Sequence, residues 1–324
     1  MPESHDVPRR DAREIEMVEL AAWLRAALAE WGRAELVVDA PEFRADRLPG
    51  ERDATGRRYR NLRMWLDLAD GVHAHLQLRP PEARDEHEPW ILAFTKRTGE
   101  LEVHDPNLPA AERYAEGGPF ARLYKPDHPG FLLPLLDALG FAAPTSIERV
   151  LILGCHDGDE LDVLAQHKPQ IPASAVTGVD RDHAAVERAL SRFPEATFLQ
   201  ADLGEVDQLR RVEGRFDLLL AINVLQSPSL NGPAVLAHFV REHLQPSAGV
   251  IVGVPASRFV EGDVTWGART RNFRETDLSL AVRDLAGHRR YLHQQGFRTR
   301  ITGRYDLLVT ARRSSGTASA DSSR

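Results

Sequence analysis

The chain has 324 residues, 42% of them hydrophobic and 27% charged, an ordinary globular composition with room for about two domains of roughly 150 residues. Its net charge of −7 comes from residues 1–145, whereas residues 146–324 balance and the Arg-rich stretch 256–324 stands at +6. An acidic first half argues against a broad nucleic-acid grip, no apolar run approaches the roughly 20 residues of a membrane helix, and the single Cys155 excludes a disulfide framework or a multi-cysteine zinc site.

The polar, mixed-charge start Met1–Arg13 has no signal-peptide pattern, so cytoplasm is the expected compartment. Glu14–Trp31 places Ile15, Val18, Leu20, Ala21, Leu24, Ala27 and Leu28 on one helical stripe. Glu35–Val38 reads as a strand. Leu62–Leu68 and Val72–Leu78 read as β-runs joined by Ala69–Gly71, and Trp90–Thr95 with Glu100–His104 as a second hairpin around Arg97-Thr98-Gly99. Arg79–Pro89 is a Pro- and acid-rich loop, Asn107–Gly118 a loop or short helix, and Phe131–Leu139 a short apolar helix. Residues 1–145 are therefore expected to form an α+β domain, an antiparallel sheet backed by the first helix.

From Ser146 strand and helix alternate. Strands are expected at Arg149–Leu153, Ala175–Val179, Thr197–Leu199, Phe216–Ile222 and Gly249–Val254. Helices are expected at Asp159–His167, Asp182–Phe193, Glu205–Val212, Gly232–Leu244 and Glu275–Gln295. Phe297–Ile301 and Leu307–Thr310 close as a hairpin around Gly303. The pattern predicts a Rossmann-like, doubly wound parallel sheet over 146–313 with a terminal antiparallel hairpin. The Ser/Ala/Gly-rich tail 314–324 is expected to be disordered.

The run Leu153-Gly154-Cys155-His156-Asp157-Gly158 feeds a buried strand through a glycine turn into a helix. Gly154 admits a ligand close to the backbone, and the helix start presents unpaired N–H groups to an anion. Asp180, 22 residues beyond Gly158, ends the next strand where an acid can accept hydrogen bonds from both ribose hydroxyls, Asp182 being free to cap the helix. Asp202 ends the third strand, placed to receive an adenine amino group. A dinucleotide site uses similar physics but wants G-x-G-x-x-G, where this loop offers G-x-x-x-G.

Taken together, Ser146–Arg313 resembles the class I S-adenosylmethionine-dependent methyltransferases. The resemblance implies a donor site made by Gly154, Cys155, His156, Gly158, Asp180, Arg181, Asp202, Leu203 and Asn223, the last lying within the motif Phe216–Leu225. Leu244–Val250 and the closing hairpin resemble the family's later elements. The family's first acid is Ile152 here and its middle glycine is His156; a backbone carbonyl, Asp157 or Asp159 is then expected to take the methionine amino group. S-adenosyl-L-methionine is the implied cofactor, and no metal is called for.

Methyl transfer needs in-line approach more than a catalytic side chain, and a base only where the acceptor must lose a proton. His156 and His128 are the candidate bases. Ala221-Ile222-Asn223-Val224 lacks the Asn-Pro-Pro-aromatic motif of amine-directed nucleic-acid enzymes, and a lone cysteine inside the donor loop argues against covalent catalysis. Arg269 and Arg271, with Trp266, could hold an acidic or aromatic acceptor, and Arg274 and Phe273 adjoin them. His288, Arg289 and Arg290 are expected on the exposed face of the long helix. The leading expectation is transfer to oxygen or nitrogen of a small molecule, with Ala40–Pro134 selecting the acceptor or covering it. RNA or protein methylation and a catalytically silent cofactor-binding module are the alternatives, and a homodimer is left open.

Overall fold

The computed structural model describes residues 7–44, 46–52, 54, 58–72, 74–81, 88–96, 124–227, 229–255, 279–303 and 306–313. The chain divides into two compact units, residues 1–101 with 260–263, and residues 102–259 with 264–324. Among the described residues no helix is long and apolar enough to cross a membrane.

The first unit holds a four-stranded sheet in the order β1 (Arg9–Asp11), β2 (Arg33–Val38), β4 (Trp90–Lys96) and β3 (Ala74–Arg79). β1 runs parallel to β2; the other pairs are antiparallel. Helix α1 (Met17–Trp31) buries Leu20, Leu24, Ala27 and Leu28 and ends at Gly32 in the left-handed region, whose N–H caps the Leu28 carbonyl. Val18, assigned to the buried stripe from sequence, is exposed, and Glu14–Glu16 precede the helix.

Leu62–Leu68 is not a strand but the body of α2 (Leu62–Gly71), so the hairpin expected there does not exist. The Asn61 side chain accepts from the Met64 N–H and starts the helix, and Trp65, Leu68 and Ala69 bury at helical spacing. β3 instead pairs with β4. β2 and β4 stand within two residues of the expected Glu35–Val38 and Trp90–Thr95, while Arg97–Gly99, Glu100–His104 and Asn107–Gly118 lie outside the described residues, as do residues 82–87 of the Arg79–Pro89 loop.

The second unit is a seven-stranded sheet in the order β10 (Phe297–Gly303), β11 (Asp306–Arg313), β9 (Leu244–Pro255), β8 (Phe216–Ile222), β5 (Val150–Leu153), β6 (Val176–Asp180), β7 (Thr197–Gln200). Strands β5 to β9 are parallel, while β11 and β10 return antiparallel. All four residues of β5 are buried, as a strand covered on both faces requires. Two apolar cores lie around the sheet, one containing Leu151, Phe239 and Phe297, the other Ile152, Val186 and Phe131.

Helix α3 (Pro129–Ala142) lies against β9, β10 and β11 with Phe131, Leu135, Ala138, Leu139 and Ala142 buried, which makes it part of this second core. The remaining helices are α4 (Asp159–His167), α5 (His183–Arg192), α6 (Val206–Leu209), α7 (Gly232–Glu242) and α8 (Ser279–Gln294). On α8 Arg289 and Arg290 are exposed, but His288 is only 3% exposed. It faces the sheet side of the helix together with Ala281, Leu285 and Leu292, at spacings of three to four residues.

Candidate donor site at the carboxyl edge of the second sheet

Chain order reverses between β5 and β8: β6 and β7 follow on one side, β9 on the other. Ligands of open α/β sheets bind outside the carboxyl ends of the strands at such a switch point. The loop leaving β5 begins at Gly154, whose φ of +68° is left-handed and whose Cβ, if present, would stand 2.8 Å from Val224 Cβ. Glycine is required there on both counts. Gly154 and Cys155 N–H both donate to the Val179 carbonyl, at 2.7 and 3.1 Å, which folds the turn tightly onto β6.

Gly158, at φ +85°, sits at the start of α4, and a Cβ there would meet the Phe193 ring at 2.9 Å. His156 lies between them at φ +44°, a left-handed conformation histidine tolerates better than most residues. Burial holds its imidazole below the usual range, with Asp157 pulling the other way. Cys155 is fully buried, and burial pushes its thiol well up, which leaves it inert as a nucleophile.

Asp180 ends β6 with both carboxylate oxygens fixed by backbone: Oδ2 accepts from His156 N–H at 2.9 Å and Oδ1 from Asp182 N–H at 3.0 Å. Each oxygen keeps a further lone pair. Asp182 caps α5, its side chain accepting from Ala184 and Ala185 N–H, so Asp180 is not used as the cap. Arg181 is exposed. Asp202, half-buried, accepts from Gly204 N–H at 2.8 Å beside the buried Leu203. Gly154, Cys155, His156, Gly158 and Asp180 thus share one continuous loop system, with Asp202 at the head of the next turn.

Asn223, beyond β8, is left-handed at φ +57°, and its Nδ2 donates to Asp306 Oδ1 at 2.6 Å. Asp306 is the first residue of β11, opposite Pro255 at the end of β9, so it reaches the same edge of the sheet. It is 1% exposed, and burial raises its carboxyl from 3.8 to about 6, against the pull of Asn223 and Lys125. Neither Asp306 nor its contact with Asn223 was among the residues singled out from sequence. The only local signal is an acid opening an otherwise apolar strand.

The acids near the glycine loop have definite partners. Asp157 pairs with Arg188 at 2.8 Å, and Asp159 and Asp162 both pair with Arg192 at 3.1 Å. Asp157 and Asp159, expected to meet a methionine amino group, are held in place by these arginines. Glu160 points into the interior, 1% exposed, with Lys125 Nζ 3.4 Å from Oε1. Lys125 belongs to a short helical turn, Lys125–Asp127, that the Tyr124 hydroxyl ties to Asp162. That bond pushes the Tyr124 phenol up to about 12. His128 follows, its carbonyl accepting from Phe131 and Leu132 N–H at the start of α3. Trp266, Arg269, Arg271, Phe273 and Arg274 lie outside the described residues.

Residues 151–250 match the family described as Methyltransferase domain. No curated protein is matched. Among solved structures the chain is similar to N-methyltransferase NodS from Bradyrhizobium japonicum WM9 in complex with S-adenosyl-L-homocysteine, at 17% identity over 63% of this chain and 96% of that one, TM-score 0.42. It is also similar to magnesium protoporphyrin IX methyltransferase ChlM from Synechocystis PCC 6803 with bound SAM, at 19% identity over 66% and 88%, TM-score 0.38. A third is the fibrillarin/Nop5p complex, at 16% identity over 57% and 83%, TM-score 0.40. The family match falls on residues 151–250, the segment that carries β5 to β8 and the glycine loop.

Proposed function

We propose that the chain transfers a methyl group from S-adenosylmethionine to oxygen or nitrogen of a small molecule, with the donor seated along β5, β6 and β7 and the acceptor entering beside β8 and β11. The observation that carries the donor site is Asp180. Two backbone amides hold its carboxylate still at the end of β6, and a lone pair on each oxygen remains for a ribose hydroxyl. Gly154 and Gly158 keep the loop free of side chains that would fill the space. Asp202 stands at the end of β7 for the adenine amino group, beside Leu203, and Arg181 flanks the ribose acid from the surface.

The donor, when bound, supplies an electrophilic methyl on a sulfonium, so the chain's own task is to orient and to exclude water. His156, within the loop, and His128, at the start of α3, are the candidate proton acceptors. Arg269, Arg271 and Trp266 are proposed to meet the acceptor. Residues 40–134 are proposed to select that acceptor, and the net charge of −7 on residues 1–145 favours a small molecule over RNA. Isothermal titration with S-adenosylhomocysteine tests the donor site: Asp180→Ala should weaken binding about 10- to 100-fold, for the roughly 1–3 kcal/mol of charge-assisted hydrogen bonds removed. Unchanged affinity in a folded variant would leave Asp180 a purely structural residue.

A further inference from the structure

We propose that Asp306 and Glu160, with Asn223 and Lys125, form a subsite for an alkylammonium group at the carboxyl edge of the second sheet. The proposal deepens the methyl-transfer reading and rests on it for the setting, though not for the binding chemistry itself.

Three acceptor oxygens define the subsite. Asp306 Oδ2, Glu160 Oε2 and Asn223 Oδ1 are buried, and none has a hydrogen-bond partner among the described residues. Asn223 touches Asp306 directly through its Nδ2. Glu160, in the first turn of α4 beyond β5, and Asp306, opposite the last residue of β9, stand at the same carboxyl edge of the sheet; the charge of Glu160 raises the Asp306 carboxyl, and Lys125 lowers both. A buried acceptor left unmatched costs about 1–3 kcal/mol, and more when it is charged, so three at one edge of a sheet is an unusual concentration.

The charge count points the same way. Both acids are 1% exposed, and Lys125, on Glu160 Oε1, is the one cation paired with either of them among the described residues. Burial pushes both carboxyls upward, Asp306 to about 6, which is the mark of acids short of compensating charge. Stable buried anions have partners, and with both acids ionised Lys125 alone leaves the subsite one positive charge short. The neighbouring acids sharpen the contrast, since Asp157, Asp159 and Asp162 each have an arginine.

An ammonium answers both deficits. It brings one positive charge and three N–H donors for three orphaned oxygens. A divalent metal ion takes six or more oxygens and is poorly served by two carboxylates and an amide. Among the described residues no group of three or more His, Cys, Asp and Glu is placed to hold a metal. The alkylammonium has two candidate sources, the amino-acid end of the methyl donor and an amine on the acceptor. The first would replace the acid that the family keeps where this chain has Ile152.

The experiment uses the full chain, wild type, Asp306→Asn and Glu160→Gln, with calorimetric titration at pH 8. The probes are S-adenosylhomocysteine, 5′-methylthioadenosine, which lacks the amino-acid end, and butylamine against butanol. Thermal melts of each variant confirm folding. Loss of S-adenosylhomocysteine affinity by tenfold or more in both variants, with 5′-methylthioadenosine unaffected, supports the subsite and makes the donor its source. Unchanged nucleoside binding, together with butylamine binding that both variants abolish, supports the subsite and makes the acceptor an amine. Wild-type affinities in both variants for every probe would overturn the proposal, as would butylamine binding no better than butanol with S-adenosylhomocysteine unaffected. A wild type that binds neither nucleoside would sink the methyl-donor reading alone, and the butylamine arm would still decide the subsite.

Discussion

Replacing Asp306 by asparagine should stabilise the unliganded protein, and by an amount that depends on pH. Burial raises the Asp306 carboxyl from 3.8 to about 6 in the folded chain. Between those values the folded state holds a proton that the unfolded state has released, so stability falls as pH rises through this window and is flat above it. Raising a carboxyl that far is worth about 3 kcal/mol, the upper limit of what the charged carboxylate costs at pH 8. Asparagine keeps the oxygen that accepts from Asn223 Nδ2 and removes the charge. Its amide N–H₂ needs an acceptor, which trims the gain. For a unit of this size each kcal/mol moves Tm by roughly 2–4 °C, so a rise of several degrees is expected at pH 8. At pH 5 wild-type Asp306 is mostly protonated in the fold, and the gain should shrink to about half. Melts of both proteins at pH 5, 6, 7 and 8 read this directly. A lower Tm for Asp306→Asn at pH 8, or a gain independent of pH, would refute the reasoning.

Gly154→Ala should destabilise by about 1–3 kcal/mol and weaken S-adenosylhomocysteine binding, because it combines φ +68° with a Cβ 2.8 Å from Val224; denaturant melts and titration check the two effects separately. Cys155, buried and with its thiol pushed up, should react with a thiol reagent under native conditions at least tenfold more slowly than in urea, and equal rates would contradict its placement. A fragment starting at Ser146 should fail to melt cooperatively, whereas one starting at residue 102 should. The difference is α3, whose Phe131, Leu135 and Leu139 each contribute about 1.5–3 kcal/mol by burial.

The second unit was readable from sequence because its strands are covered on both faces and so appear as short, unbroken apolar runs. Phe216–Ile222 and Asp159–His167 stand at the predicted bounds. The first unit was harder. Leu62, Met64, Leu66 and Leu68 alternate like a strand, while the contacts that decide the matter, Trp65, Leu68 and Ala69 against the sheet, have helical spacing. Donor-loop residues were visible because they are close in sequence and each follows a strand. Asp306, Glu160 and Lys125 were not, since 83 residues separate Asn223 from Asp306 and 35 separate Lys125 from Glu160. His288 was read as surface from its Arg neighbours, although its spacing from Leu285 and Leu292 matches the buried side.

The grip of two main-chain amides on Asp180 has a thermodynamic consequence. A carboxylate free to rotate would lose that freedom when a ligand's hydroxyls arrived, whereas this one has already given it up during folding. The His156 backbone that supplies one of the amides is likewise set, in a left-handed conformation that costs of order 1 kcal/mol and is maintained by the rest of the unit. Association at this loop is therefore a matter of exchanging water for hydroxyl groups on a surface already in shape. Further stiffening by engineering would add little affinity, and loosening, for example by His156→Gly, would release strain while handing the ordering cost back to the ligand.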